Sequence, residues 1–313
     1  MTMRWVFMAV LTAAAMGAAS CKTASPGATS NEPLELERPV KFGLTRPTGE
    51  RAAKFSAGKL SAYLAAAFGP GSTANVFDDA TLLADALVTQ SVDVAWLTPG
   101  AYVRARAKDP EIHALVKLSR DGFTSYRSVF FAKAGSKVVS LPTAEGTTLA
   151  LAGEDSMSGR VYPLAYLKKQ GIVPEKYFSK VLSGKDHREV CQLVFSGQAD
   201  VGATLSDDHG QEPAAADGCR AGGFDPAQFM VIGSTGSVPN DVIAVRAGLD
   251  PEAEVQLKRL FMRMSNTDGG RAELKGIFHA TGFAEASDAD FTAARELEGI
   301  LSMPGGALPP GQR

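Results

Sequence analysis

From Pro39 onward, short β-branched runs alternate with amphipathic helical stretches, and the pattern occurs twice. Val40–Thr45 reads as a first strand, followed by a helix from about Gly49 to Phe68. A short strand near Asn75–Phe77 leads to a helix over Ala80–Gln90 and to the apolar strand Val92–Leu97. Thr98-Pro-Gly opens the next helix, and Ile112–Leu118 and Tyr126–Lys133 are strand-like. The second half repeats the rhythm with strand Thr147–Ala152, helix Gly159–Gln170, strand Phe178–Leu182, helix Asp186–Ser196 and strand Ala199–Ala203. Gln228–Gly233 and Val242–Arg246 read as extended, and the chain from Pro251 to about Ser302 reads as helical. Strands separated by helices of about 10–15 residues form βαβ units, whose parallel sheets are covered on both faces. The expected fold is therefore α/β with two lobes, each a mainly parallel sheet flanked by helices. At roughly 100–200 residues per domain, the 313 residues suffice for two cores. Ligands of such sheets bind beyond the carboxyl ends of the strands, near helix starts.

Charge narrows the choice of ligand. The chain has 32 Lys+Arg against 34 Asp+Glu, a net charge of −2, and no basic block. That argues against a nucleic-acid surface, which works by neutralising phosphates. A bound anion must be held by a local set of donors. No interior apolar run approaches the ~20 residues that span a bilayer.

The N-terminus reads as an export signal over residues 1–20, with Arg4, an apolar run Trp5–Met16 and then small residues. Ala18-Ala19-Ser20-Cys21 resembles a bacterial lipobox, with Ala where a large aliphatic residue is usual. The resemblance implies a lipidated Cys21 and a membrane anchor in the cell envelope; a plain secretory peptide cut nearby is the alternative. Residues 21–38 are rich in Ser, Thr, Pro, Ala and Gly and read as a flexible tether, and the Gly/Pro-rich residues 303–313 as a disordered tail. Export makes Cys191 and Cys219 a candidate disulfide, since oxidising compartments favour pairing. The bond would staple the Gly/Ala-rich loop from Asp208 to Gly223 to the helix carrying Cys191; two unpaired thiols are the alternative.

Two strand-to-helix turns carry the chemistry. Gly153-Glu-Asp-Ser156-Met-Ser158-Gly159-Arg160 offers two hydroxyls, a glycine that admits close backbone approach, and the unpaired amides of a helix start. Those features make an anion cradle, or simply an N-cap. Ser183-Gly-Lys-Asp-His187 precedes the second helix and puts one of only four histidines in its first turn, where it can donate to an anion.

The stretch from Tyr126 to Asp200 resembles the phosphate/phosphite/phosphonate-binding family of ABC-transporter solute-binding proteins. Its pattern is a Tyr-x-Ser strand, Ser-Thr-Ser-Gly, Gly-x-x-His, and an Asp thirteen residues on in Gly-Lys-Ala-Asp. Here these read Tyr126-Arg-Ser128, Ser156-Met-Ser158-Gly159, Gly184-Lys-Asp-His187 and Gly197-Gln-Ala-Asp200. Asp93-Val-Ala-Trp-Leu-Thr-Pro-Gly-Ala-Tyr102 and Val238-Pro-Asn-Asp241 resemble two further family segments, so the likeness covers roughly residues 39–265. It implies a type II periplasmic-binding-protein fold with its ligand in the inter-lobe cleft. The implied lobes are 39–127 and 237–302 for the first and 128–236 for the second. Ser156, Ser158 and the Met157 backbone would grip a small oxyanion, with His187 and Tyr126 on the same wall and Tyr102 closing from the other lobe. Asp207 and Asp241 fall near positions that hold a substituent amine in relatives. Met157 departs from the usual Thr and removes one hydroxyl. The implied partners are an ABC permease and the membrane, with no nucleic acid, cofactor, metal or catalytic residue, in a monomer.

Other readings stay open. Ser158, His187 and Asp207 supply the three residue types of a hydrolase triad, but the serine lacks a Gly-x-Ser-x-Gly elbow, because Ser156 stands two residues before it. His113, His187, His209 and His279 show no metal-ligand spacing. A surface sensor that signals by closure without transport fits the same residues.

Overall fold

The computed structural model describes residues 39–45, 50–154, 156–208 and 215–302. The expected leader, Cys21, tether and tail lie outside the described residues.

The first lobe begins with β1 (Lys41–Leu44), α1 (Glu50–Phe68), β2 (Thr73–Val76), α2 (Ala80–Val88), β3 (Val94–Leu97), α3 (Pro99–Lys108) and β4 (His113–Ser119). The chain then crosses to the second lobe. That lobe contains β5 (Ser125–Lys133), β6 (Thr148–Leu151), a π-helical turn at Met157–Val161 that leads directly into α4 (Tyr162–Lys169), α5 (Pro174–Tyr177) and β7 (Lys180–Ser183). It continues through α6 (His187–Phe195), β8 (Val201–Asp207), α7 (Asp217–Ala221), β9 (Phe229–Ser234) and β10 (Val238–Pro239). The return to the first lobe supplies β11 (Val242–Val245), α8 (Pro251–Asn266), α9 (Asp268–Phe278), β12 (Gly282–Glu285) and α10 (Thr292–Ser302).

The first sheet has the order β12-β4-β11-β3-β1-β2, with β2, β1 and β3 parallel and β11 antiparallel to both of its neighbours. Side chains of successive strand residues leave opposite faces, and β3 shows the result. Val94 and Trp96 enter the core under α1, α8 and α9, while Ala95 and Leu97 enter the one under α2, α3 and α10. The second sheet has the order β10-β5-β8-β6-β7, with β9 also on β5. Phe130, Leu149 and Leu151 pack under α4, and Phe131, Ala150 and Ala152 under α6 and α7. Cys191 of α6 and Cys219 of α7 are joined as a disulfide with Cα atoms 5.6 Å apart.

Both lobes use one carboxylate in the same way. Asp93, just before β3, and Asp200, just before β8, each accept the first N–H of the neighbouring strand, from Lys41 and Thr148, at 2.9 Å. The Asp of the Gly197-Gln-Ala-Asp200 motif is thereby a strand-registering residue.

The C-terminal region differs from a continuous helix. Thr267 caps α9 by accepting from Gly270, His279 closes it in the left-handed region at φ 50°, and β12 then pairs with β4. Four strand residues are too few to interrupt a 3.6-residue pattern visibly in sequence. The crossings also lie away from the expected 127/128 and 236/237 boundaries. Tyr126 is already paired with Asp207 and Val238 in the second sheet, so the chain crosses at 120–124 and returns at 240–241. Asn240 ties the two crossings together, its side-chain amide donating to the carbonyls of Leu118 and Phe123 at 3.2 and 2.9 Å.

Candidate functional site

The two singled-out turns meet at the carboxyl ends of β6 and β7, which run parallel and side by side. Ser156 caps the π-helical turn, its hydroxyl oxygen accepting from the Gly159 N–H at 3.2 Å and its carbonyl from both Arg160 and Val161 at 3.0 Å. A hydroxyl that accepts in this way keeps its own proton to donate. The amides of Met157 and Ser158 open the turn ahead of its backbone ladder, where helix starts leave donors unpaired. Asp186 caps α6 by accepting from Glu189 at 2.9 Å, which fixes His187 as the first helical residue.

Ser158 Oγ and His187 Nε2 lie 3.2 Å apart, and His187 Nδ1 lies 2.9 Å from Thr204 Oγ1 on β8. Burial lowers the pKa of His187 against a smaller opposing pull from Asp186, so the imidazole is neutral at pH 7. The turn can come this close because residue 159 is glycine. A Cβ there would stand 2.6 Å from Ala152 Cβ and 2.9 Å from both His187 Cε1 and Ser156 Oγ.

Tyr126 stands on β5 near this wall. Its ring stacks on Tyr162, the first residue of α4, with centroids 6.5 Å apart. Burial, and then the Asp241 carboxylate, hold the Tyr126 phenol protonated far above neutral pH. Asp207, opposite Tyr126 in register, is half-buried, and its N–H donates to Asp217 Oδ2 at 3.1 Å. Asp241 lies in the return crossing, where one carboxylate oxygen accepts from Arg120 at 3.1 Å and from Trp96 Nε1 at 3.3 Å.

Tyr102 is the exception among the expected residues. It is fully buried in the first lobe against Phe291, and its hydroxyl donates to Asp288 at 3.3 Å. Burial, and then Asp288, push that phenol up to about 12. The side chain is spent inside its own lobe, beside Arg106, instead of closing on the cleft.

Met157 supplies no hydroxyl, and its thioether crosses to the first lobe. Its Cε and Glu298 Oε1 lie 3.1 and 2.1 Å from the point where a Gly100 side chain would begin. Glu298 Oε2 pairs with Arg104 at 2.9 Å, while Glu298 Oε1 and the hydroxyl oxygens of Tyr162 and Ser128 are buried with no hydrogen-bond partner among the described residues. Tyr162 and Ala165 of the second lobe belong to the same apolar cluster as Tyr102 and Leu297 of the first, so the lobes are packed together here. Sequence reasoning missed Thr204, Glu298 and the lobe-bridging place of Tyr162. A threonine in a β-branched strand and a tyrosine or glutamate on an amphipathic helix carry no separate signal of such a role.

Among the described residues, no group of three or more His, Cys, Asp or Glu side chains could hold a metal ion, and no helix is long and apolar enough to cross a membrane.

Comparison with known proteins adds a family and a fold. Residues 48–291 match the family described as ABC transporter, phosphonate, periplasmic substrate-binding protein. Among solved structures, the chain is similar to XAC2383 from Xanthomonas citri bound to ATP, with TM-score 0.64 and 22% identity over 84% of this chain and 96% of that one. It is similar to PhnD1 from Prochlorococcus marinus in complex with methylphosphonate, with TM-score 0.61 and 17% identity over 84% and 97%. A binding protein component of an ABC phosphonate transporter from Pseudomonas aeruginosa gives TM-score 0.59 and 20% identity over 84% and 86%.

Proposed function

We propose that this chain, which belongs to the periplasmic substrate-binding family of phosphonate ABC transporters, captures a small oxyanion of the phosphonate, phosphite or phosphate class between its lobes and delivers it to a permease. The observation that carries the reading is the convergence of Ser156, Ser158 and His187 on one turn, with Ser158 and His187 in hydrogen-bond contact. Hydrogen bonds to a charged group contribute about 1.5–3 kcal/mol each. Five or six of them reach the roughly 8 kcal/mol of a micromolar complex after ordering costs. Neutral donors at a helix start are sufficient, in keeping with a chain of net charge −2.

The packed lobes and the tied crossings at 120–124 and 240–241 support closure by hinge motion about those segments. Tyr126 adds a donor on the oxyanion side, and Asp207 and Asp241 face a substituent at the cleft mouth and hinge. The protein acts as a monomer without catalysis, and Cys21 anchors it to a membrane by lipid, a reading supported by the Ala-Ala-Ser-Cys sequence.

Titration calorimetry of the purified protein with phosphate, phosphite, methylphosphonate, 2-aminoethylphosphonate, ATP and sulfate tests the reading. At least one phosphorus oxyanion is expected to bind near micromolar affinity, and His187→Ala to weaken it at least about tenfold, the value of one charge-assisted hydrogen bond. Binding of none, or unchanged affinity in the variant, removes the assignment.

A further inference from the structure

Thr204 Oγ1 is fully buried and has, among the described residues, one hydrogen-bonding neighbour, His187 Nδ1 at 2.9 Å. Its other side is closed by the backbone of α7, where a Cβ on Gly218 would stand only 2.0 Å from the hydroxyl oxygen. The neutral imidazole carries one ring proton, on either nitrogen. Were it on Nδ1, Thr204 would accept it, and the hydroxyl's own proton would be buried without an acceptor. An unmade bond of that kind costs about 1–3 kcal/mol. With the hydroxyl donating to Nδ1, every proton in the row finds an acceptor.

We propose that Thr204 is a positioning residue whose hydroxyl donates to His187 Nδ1, fixes the ring proton on Nε2, and so aims an N–H at Ser158, which leaves the serine's own proton for the anion. The inference rests on the oxyanion reading of the cleft and names what gives that cleft its polarity. Donation then runs one way, from Thr204 to His187 to Ser158, whose own proton points onward to the ligand. The same direction explains why a Ser–His pair here binds and does not catalyse. A nitrogen that carries a proton toward Ser158 cannot take the serine proton as a general base. The disulfide frames the arrangement, since it joins α6, which begins at His187, to α7, which carries Gly218.

The test reads the tautomer in the ligand-free protein, by long-range 1H–15N correlation of the histidine rings, with His187→Gln assigning the signal. Wild type is expected to show the Nε2–H form. Thr204→Val, which keeps the shape and loses the hydroxyl, is expected to leave the proton on Nε2, to move the Nδ1 15N shift toward that of an unbonded ring nitrogen, and to weaken methylphosphonate and phosphate binding about tenfold, roughly one hydrogen bond. Thr204→Ser is expected to restore both. An Nδ1–H form in wild type, or an unchanged Nδ1 shift in the valine variant, overturns the proposal, and the wild-type spectrum decides alone should the variant not fold. Because no ligand is needed, a protein with the Nε2–H form that binds none of the anions would sink the oxyanion reading and leave the role of Thr204 standing.

Discussion

Gly159→Ala is expected to lower oxyanion affinity by at least about a hundredfold, roughly 2.7 kcal/mol. The added methyl meets three groups at once below 3.0 Å, namely Ala152 Cβ, His187 Cε1 and Ser156 Oγ. None can yield without consequence. Ala152 is fully buried at the end of β6, His187 is held between Ser158 and Thr204, and Ser156 is the cap of the turn. The turn must therefore lift away from α6, which lengthens several hydrogen bonds to the anion together. Overpacking of this kind also costs about 1–3 kcal/mol of folding stability. Calorimetry and thermal melts check both effects. Gly299→Ala is the control, since nothing lies within 4 Å of its added methyl and a helix interior gains from the change. Full affinity in Gly159→Ala would show that the turn and the imidazole need not be in contact for binding.

Much of this geometry is legible in the sequence for a definite reason. Strand-to-helix turns are local objects: the cap, the glycine and the first-turn residue follow one another along the chain. Ser156, Gly159 and His187 could thus be given roles before their neighbours were known. The topology of two βαβ sheets then brings the ends of β6 and β7 side by side without further information. What the sequence hides is contact between distant segments. Thr204 is indistinguishable from any β-branched strand residue until the histidine is seen against it. Tyr102 illustrates the reverse failure. The family resemblance implies a closing side chain at this position, but its partner Asp288 is supplied by a segment late in the chain. For Met157 the sequence offers a backbone donor and a missing hydroxyl, but not the side chain's reach to the Gly100 region, which depends on how the lobes meet.

Removing the disulfide is the other large effect, and it acts mainly through the unfolded chain. Cys191 and Cys219 are 28 residues apart, and a cross-link over that interval restricts the unfolded ensemble by about 3–4 kcal/mol in the loop-entropy model. The paired Cys191→Ser and Cys219→Ser variant is expected to lose that amount in chemical denaturation. For a protein of this size the melting temperature should fall on the order of 10 °C. The folded lobe has other holds on the same region. Asp217, at the start of α7, accepts from Ser206 at 3.0 Å and from the Asp207 N–H at 3.1 Å. Val190, Val194 and Phe229 pack around the two half-cystines. The variant should therefore fold at low temperature and keep the Ser158–His187 contact, so oxyanion affinity at 15 °C should change far less than stability. A stability loss below about 1 kcal/mol would mean that the unfolded chain is already compact around this loop. A loss of binding as large as that in Gly159→Ala would instead make the disulfide part of the anion site itself, acting through α7 on Thr204.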